Sequence, residues 1–181
     1  DFTLSAVPIF IFMGEILLVS GISTRIYSSI APLFGRVPGK LLHTNIAVCT
    51  LFGAVSGAST STAAAVGSVA YPELRRRGYD RSTVVATLAA GGTLGLLIPP
   101  SLSLLLYGAT QGVSIGRLFL AGILPGLLLA AIFMLVILVL ALRSPHIVPS
   151  DDAPTSWRER LVSLISIWPL AILIFSVLGE I

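Results

Sequence analysis

Apolar residues fall in runs of different length along the chain, and these lengths predict its elements. Three runs have the length of a membrane-spanning helix, which needs about 20 apolar residues. They cover residues 2–22, 118–142 and 161–181, the last with its apolar core at 161–179. Each run predicts one helix that crosses a lipid bilayer.

Two other runs do not fit this length. Residues 41–72 are small or apolar with many Ser and Thr near the middle, and the run is too long for one span and too short for two. We predict a re-entrant hairpin, made of two half-helices that meet at the turn beginning with Gly53. Residues 82–112 contain Pro99-Pro100 near their centre. Adjacent prolines remove backbone donors and clash with the preceding turn, so this run predicts one crossing made of two half-helices.

Composition identifies the solvent of these helices. The chain is 55% hydrophobic and 10% charged, with a mean hydropathy of +1.00, whereas a soluble domain carries about 25% charged residues. This predicts an all-α integral membrane protein. The single cysteine, Cys49, excludes an intrachain disulfide, and neither His43 nor His146 has a second metal ligand at useful spacing.

The basic residues predict topology rather than nucleic-acid binding, because they lie in short loops between apolar runs. With 41–72 re-entrant and 82–112 crossing once, ten of the 11 Lys and Arg residues fall on one side and only Arg117 on the other. With 41–72 crossing fully, the split would be seven against four. The excess of Lys and Arg on cytoplasmic sides favours the first arrangement. The hairpin is therefore predicted to open from the cytoplasm.

Residues 144–160 are polar and rich in Pro, Ser and Asp. They predict a cytoplasmic linker between a membrane domain at 1–143 and the span at 161–181. The chain opens with Asp1 and ends inside an apolar run at Ile181, and we expect it to be part of a longer protein.

The two interrupted segments predict a binding site. Irregular backbone inside a membrane occurs only where protein or water covers it, and such segments mark transporter sites near the midplane. Half-helix N-termini present N–H groups to an anion, and C-termini and unwound carbonyls present oxygens to a cation. No acidic residue lies in 41–72 or 82–116, so a cation held by neutral oxygens there would suit Na⁺ better than a tightly bound divalent ion. The hydroxyl groups near the turn belong to Ser56, Ser59, Thr60, Ser61 and Thr62.

Small residues have a second explanation, since they also let helices pack closely. The pairs Gly53/Gly57, Gly91/Gly95 and Gly122/Gly126 match the small-x-x-x-small pattern. We favour binding for the hairpin, because packing does not explain its length, and packing alone for Gly122/Gly126. Glu15 is an acid within a span, which marks a functional candidate; pairing with a basic residue elsewhere is the slightly favoured alternative.

Three segments resemble one family. Residues 53–79, from Gly53 to Tyr79, resemble the first hairpin of the large membrane subunit (DctM-like) of tripartite ATP-independent periplasmic (TRAP) transporters. Residues 90–101, ending in Ile98-Pro99-Pro100-Ser101, are similar to the discontinuous helix that follows it, and 8–15 also resemble the family.

The resemblance implies an elevator-type, Na⁺-driven importer of organic anions, such as C4-dicarboxylates or sialic-acid-like sugar acids, in a bacterial or archaeal inner membrane. It implies a small membrane subunit and a periplasmic binding protein as partners, and no cofactor besides Na⁺. Of two inverted repeats, each with a hairpin and a broken helix, this chain would hold the first. Matching the family's motifs to this sequence gives a set of ten residues whose backbone carbonyls and hydroxyls would bind Na⁺ or substrate. That set is Ser56, Gly57, Ser59, Thr60, Ser61, Gly95, Ile98, Pro99, Pro100 and Ser101.

Two alternatives from other classes stay open. An intramembrane serine protease would need a base within hydrogen-bond reach of a nucleophile such as Ser56, and His43 and His146 are poorly placed for that. A non-transporting scaffold or assembly subunit is the other.

Overall fold

The computed structural model describes residues 19–149, together with 8, 9, 12, 14–16 and 172. All regular structure in this part of the chain is helical. The predicted span 161–181, most of 2–22 and the linker beyond 149 lie outside the described residues. The helices are α1 (Ile22–Ile30), α2 (Leu41–Ser56), α3 (Ser59–Arg76), α4 (Arg81–Leu97), α5 (Leu102–Gln111) and α6 (Ile115–Arg143), with short 3₁₀ turns at Ala31–Phe34 and Pro145–Ile147.

Among the described residues, two helical stretches are long and apolar enough to cross a membrane. One is α6, with 29 residues, and the other runs from Arg81 to Gln111 through the break between α4 and α5. Large apolar side chains cover the outside of α6; Leu120 is 71% and Leu124 77% exposed. A surface of this kind suits contact with lipid or with further helices.

The predicted hairpin ends later than its hydropathy indicates. Helix α3 continues past residue 72 to Arg76 and accommodates Pro72 within it. Its last turn is polar, and the Glu73 carboxylate pairs at 2.7 Å with both Arg76 and Arg77 along the helix surface. The apolar run therefore stops before the helix does, because charged residues at i, i+3 and i+4 support a solvated helical turn.

Helix α4 packs against both α2 and α3, so closely that there is no room for a Cβ at several glycines. A Cβ placed on Gly53 of α2 would lie 2.8 Å from the Cα of Gly95 on α4. One placed on Gly92 would lie 2.8 Å from the Cβ of Ala63 on α3. The small residues thus serve close helix packing, as the sequence pattern predicts.

The glycine pair on α6 packs against the break in the neighbouring crossing. A Cβ on Gly122 would lie 3.0 Å from the carbonyl oxygen of Leu97, and one on Gly126 would lie 2.7 Å from the Ile98 side chain. Gly122 and Gly126 therefore hold α6 close to the end of α4.

The two ends of the α2–α3 pair lie at one end of the molecule, with the segment that follows α6. The Lys40 ammonium donates to the carbonyl of Pro149 at 3.3 Å, and the Asp80 amide donates to the carbonyl of Ile147 at 3.5 Å. Asp80 also begins α4, because its carboxylate accepts from the Thr83 amide at 2.8 Å. The hydrogen bonds that the Thr83 amide and hydroxyl donate to this carboxylate lower the pKa of Asp80 below its usual value.

A buried polar chain joins α1, α2 and α4. The Tyr27 hydroxyl donates to Asn45 Oδ1 at 3.2 Å, and Asn45 Nδ2 donates to Thr87 Oγ1 at 3.0 Å. Thr87 in turn donates to the carbonyl of Val84. The Asn45 side chain is fully buried, so its hydrogen bonds fix how the three helices align.

Candidate functional site

The turn between α2 and α3 is two residues long. Gly57 ends α2 with a positive φ of 63°, and its amide donates to the carbonyl of Gly53 at 2.9 Å. Ala58 is extended, and α3 begins at Ser59. A glycine suits the first position because the left-handed backbone there is strained for any residue with a Cβ.

The hydroxyl groups of the turn converge on one carbonyl. The Ala58 oxygen accepts from Thr62 Oγ1 at 2.7 Å, from Ser61 Oγ at 3.3 Å and from Ser56 Oγ at 3.4 Å. It also accepts from the Thr62 amide at 3.2 Å, and the Ser56 and Thr62 hydroxyls are 2.7 Å apart. Both of these hydroxyl groups are buried. Their hydrogen bonds are used to hold the turn in shape.

The break between α4 and α5 spans residues 98–101. The Ile98 amide makes the last helical bond of α4, to Leu94 at 2.9 Å. Pro99 has no N–H, so the Gly95 carbonyl cannot receive the usual helical hydrogen bond. The Ser101 hydroxyl donates to the carbonyl of Leu96 and replaces the bond that Pro100 cannot make.

The turn and the break touch each other. The Leu102 amide, the first of α5, donates to the carbonyl of Gly57 at 3.1 Å. A Cβ on Gly57 would lie 2.8 Å from the carbonyl oxygen of Pro100. A Cβ on Gly95 would lie 2.7 Å from Thr62 Oγ1 and 2.8 Å from the Ala58 oxygen. Two segments 45 residues apart in sequence thus form one cluster of irregular backbone.

The cluster combines four helix ends. The C-termini of α2 and α4 bring partial negative charge and unpaired carbonyls, and the N-termini of α3 and α5 bring partial positive charge and amide donors. Carbonyl oxygens can bind a cation and amides can bind an anion. The arrangement therefore suits a cation and an anionic group side by side.

The structure brings six of the ten predicted site residues to this cluster, in contact with one another or with the Ala58 carbonyl. They are Ser56, Gly57, Ser61, Gly95, Pro100 and Ser101. Ile98 instead packs on α6, and Pro99 is buried beside it. Ser59 and Thr60 lie in the first turn of α3, and the Thr60 side chain is exposed.

Glu15 follows directly in sequence after Gly14, which lies beside this cluster. A Cβ on its neighbour Gly14 would lie 3.6 Å from the carbonyl oxygen of Ser56. The Glu15 side chain itself is exposed. Its position, rather than a contact of its carboxylate, links it to the site.

Two further residues matter for this geometry. The sequence placed the Thr62 hydroxyl near the turn, but Thr62 is absent from the residue set inferred by resemblance. It contacts Ser56, Ala58 and the position of Gly95, and its spacing of four residues from Ala58 is the signal for the first of its hydrogen bonds. Asn45 was not singled out at all, although a lone amide within an apolar helix normally has a buried partner.

The two histidines lie away from Ser56 in the described part of the chain. His43 bonds the carbonyl of Pro38 at 2.8 Å through Nε2, and it lies about 20 Å along α2 from Ser56, since a helix rises 1.5 Å per residue. His146 lies in the turn after α6, near the base of the α2–α3 pair. This geometry does not assemble a serine–histidine pair at Ser56.

Comparison with known proteins assigns the chain to a family. The family model for the DctM component of tripartite ATP-independent periplasmic transporters matches residues 1–181. The chain belongs to the DctM family. It is similar to three curated relatives, each over part of that relative's length.

The first of these DctM relatives is YgiK of Salmonella typhimurium, 39% identical over 99% of this chain and 41% of that protein. The large permease protein DctM of a C4-dicarboxylate TRAP transporter from Pseudomonas aeruginosa is 39% identical over 77% of the chain and 33% of its own length. TeaC, from an ectoine TRAP transporter of Halomonas elongata, is 36% identical over 93% of the chain and 39% of its own length. The chain thus spans about a third to two-fifths of the length of these curated relatives.

Proposed function

We propose that the chain supplies one half of the ion and substrate site of a Na⁺-driven TRAP importer, and that it moves substrate by an elevator mechanism. The contact between the Gly57 carbonyl and the Leu102 amide carries this proposal. It joins the tip of a helical pair to the break of a discontinuous helix, which is the arrangement expected of a midplane transporter site.

Na⁺ would be coordinated mainly by backbone carbonyls in this proposal. The hydroxyls of Ser61 and Thr62 donate to the Ala58 carbonyl, and Ser56 Oγ lies 2.7 Å from Thr62 Oγ1, so these groups hold the turn while their remaining lone pairs could add to the carbonyl ligands. The carbonyl of Gly95 lacks its helical donor because residue 99 is proline. Neutral oxygens of this kind suit a monovalent cation that has to be released in every cycle.

The α2–α3 pair would be a re-entrant hairpin that opens to the cytoplasm. Its two ends lie beside the segment after α6, through Lys40–Pro149 and Asp80–Ile147. The same end carries Arg75, Arg76, Arg77, Arg81 and Arg143. A concentration of Arg and Lys marks the cytoplasmic side of a membrane protein, which supports a multi-pass protein of the inner membrane.

The substrate would be an organic anion with a carboxylate. The amides at the N-termini of α3 and α5 could receive its charge. Relatives are named for transport of C4-dicarboxylate, ectoine and sialic acid, so the fold serves several small carboxylate-bearing solutes. The family name further supports a periplasmic binding protein as a partner, and the relative named DctMQ is consistent with a small membrane subunit.

Uptake into proteoliposomes tests the proposal. The full-length permease would be reconstituted with its small subunit and binding protein, and given labelled succinate, N-acetylneuraminate or ectoine. We expect one of these solutes to accumulate under an inward Na⁺ gradient and not under an equal K⁺ gradient. Equal uptake in Na⁺ and K⁺ would contradict the coupling, and no uptake of any solute would favour a scaffold.

Thiol labelling tests the elevator movement. In a cysteine-free background of the full-length permease, which includes Cys49→Ala, a cysteine would replace Thr60, which is exposed at the tip. We expect an impermeant thiol reagent to reach it from either side of the membrane, in proportions that change when Na⁺ and substrate are added. Arg143→Cys, at the cytoplasmic end, is the control and should react from one side only. A tip that also reacts from one side under all conditions would contradict alternating access.

A further inference from the structure

The helical segment that precedes α1 has an outer face that no described part of the chain covers. Residues 8, 9, 12, 14–16 and 19 are helical. Large apolar side chains lie exposed on one side of this segment, at the spacing of three or four residues that defines a helical face. They are Ile9, Phe12, Ile16 and Val19, which are 69%, 67%, 51% and 81% exposed. This outer face extends for about three helical turns.

The opposite side of the same segment contacts the turn between α2 and α3. Gly14 is buried, and a Cβ placed on it would lie 3.6 Å from the carbonyl oxygen of Ser56. Successive residues of a helix point about 100° apart, which directs the outer face away from this turn. The segment therefore has the turn on one side and an uncovered apolar surface on the other.

One acid lies on the outer face. The Glu15 side chain is exposed, and its neighbours on the helix surface are Phe12, three residues before it, and Val19, four residues after it. Among the residues that the structure describes, none pairs with its carboxylate or donates a hydrogen bond to it. A charged side chain within the membrane is costly unless it meets a partner of opposite charge. Glu15 therefore requires a cationic group from outside the described residues.

The charge of Glu15 discriminates between the surfaces that could cover this face. Lipid chains offer no hydrogen-bond donor to a carboxylate. A second copy of the chain would bring the same face, with the same acid, against itself, because a two-fold interface is isologous, and like charges repel. The chain spans about a third to two-fifths of the length of its curated relatives, so most of the permease lies outside it. A helix from that part is covalently linked to this face, which favours it over a separate subunit.

We propose that the outer face packs against a membrane-spanning helix of the same permease that lies outside residues 1–181, and that this helix carries an Arg or Lys paired with Glu15. The depth of the pair rests on the topology in the proposed function, whereas the packing requires neither Na⁺ nor transport. The pair would set the register between the two helices, because only one relative height brings the charges together.

Photocrosslinking identifies what covers the outer face. Benzoylphenylalanine would replace Phe12 in the full-length permease, co-expressed with its small subunit, and cross-linked peptides would be sequenced by mass spectrometry. We expect a cross-link within the permease, to a helix that contains Arg or Lys. A product with the mass of permease plus small subunit, or of two permeases, would overturn the proposal. Lipid adducts alone, or no product, would also overturn it.

Charge removal tests the ion pair. Glu15→Gln keeps the side-chain shape, and we expect it to lower the midpoint of thermal unfolding of the full-length permease in detergent, because it leaves the basic partner unpaired. Glu73→Gln is the matched control. Glu73 pairs with Arg76 and Arg77 in a solvated turn, where an ion pair contributes little, so its shift should be clearly smaller. Equal shifts for the two variants would contradict an ion pair at Glu15.

Charge exchange tests the identity of the partner. We expect Glu15→Arg to reduce the amount of folded permease, since it places two cations together, and replacement of the cross-linked basic residue by Glu to restore it. Failure of this exchange would show that the basic residue does not pair with Glu15. All of these measurements are made without a Na⁺ gradient or substrate, so their outcome is independent of whether Na⁺ drives uptake.

Discussion

The carbonyl of Gly57 accepts a hydrogen bond of 3.1 Å from the amide of Leu102. It joins the C-terminal end of α2 to the N-terminal end of α5. One hydrogen bond therefore connects the turn between α2 and α3 with the break between α4 and α5. Displacement of either segment would expose an unpaired polar group in an apolar surrounding, at a cost of about 1–3 kcal/mol. The turn and the break should therefore move together.

We predict that Gly57→Val abolishes uptake while the protein still inserts into the membrane. The substituent would meet the Pro100 carbonyl at 2.8 Å on a backbone with φ of 63°, which disrupts the contact with Leu102. Na⁺-driven uptake and the amount of protein in the membrane would both be measured. Normal uptake by this variant would count against the turn as the site.

Gly57→Ala and Gly112→Ala separate steric contact from backbone strain. Gly112 has a similar φ of 65° but nothing within 4 Å of a Cβ, so Gly112→Ala should cost only the left-handed conformation, about 1 kcal/mol. We expect Gly57→Ala to impair uptake far more than Gly112→Ala does. Equal effects would indicate that conformation alone matters at both positions.

We predict that Thr62→Val reduces uptake at least tenfold and raises the Na⁺ concentration required for half-maximal uptake. The substitution removes the hydroxyl that bonds Ala58 and Ser56 at 2.7 Å but keeps the side-chain shape. Thr62→Ser retains the hydroxyl and should restore most of the activity. If Thr62→Ser is as defective as Thr62→Val, the hydroxyl is not what positions the turn.

We predict that Gly95→Ala destabilises the protein by about 1–3 kcal/mol, the usual range for overpacking. Its Cβ would meet Thr62 Oγ1 at 2.7 Å and the Ala58 oxygen at 2.8 Å. Gly67→Ala is the control, since its Cβ finds only the Leu88 side chain at 3.9 Å and should be neutral or stabilising by up to about 1 kcal/mol. Thermal unfolding in detergent compares the two, and a neutral Gly95→Ala would contradict the close packing of α4 on the turn.

We predict that Asn45→Leu destabilises the protein by about 1–3 kcal/mol, because it leaves the buried hydroxyls of Tyr27 and Thr87 without their amide partner. Tyr27→Phe removes a single hydrogen bond and should cost about 1 kcal/mol. The double variant Asn45→Leu/Tyr27→Phe should therefore be less destabilised than the sum of the two. Strict additivity of the unfolding free energies would argue against the network.

Helix bounds follow local composition in part. Helix α6 begins at Ile115, three residues before the apolar run that starts at 118, and α4 ends at Leu97, just before the adjacent prolines. Helix α3 continues to Arg76, beyond the end of the apolar run at 72, because helical propensity outlasts that run. Hydropathy marks where lipid contact ends, and not where a helix ends.

The arrangement of the site could not be read from the sequence in the same way. Serine and threonine at the turn indicated polar chemistry, but the convergence of three side chains on Ala58 depends on the exact backbone of two residues. The contact between Gly57 and Leu102 joins positions 45 apart and follows from tertiary packing. The presence of two interrupted segments, and their resemblance to one family, suggested that they belong together, but neither indicated which atoms would meet.

The approach of Gly53 to Gly95 has a consequence for how this protein can change over evolution. At most helix interfaces a larger side chain on one partner can be compensated by a smaller one opposite, so the two positions covary. Here both positions already carry the smallest residue, and a Cβ on Gly53 would lie 2.8 Å from the Cα of Gly95. A larger residue at one position cannot be compensated by a smaller residue at the other. The two positions should therefore show no covariation among related sequences, although their backbones lie in close contact.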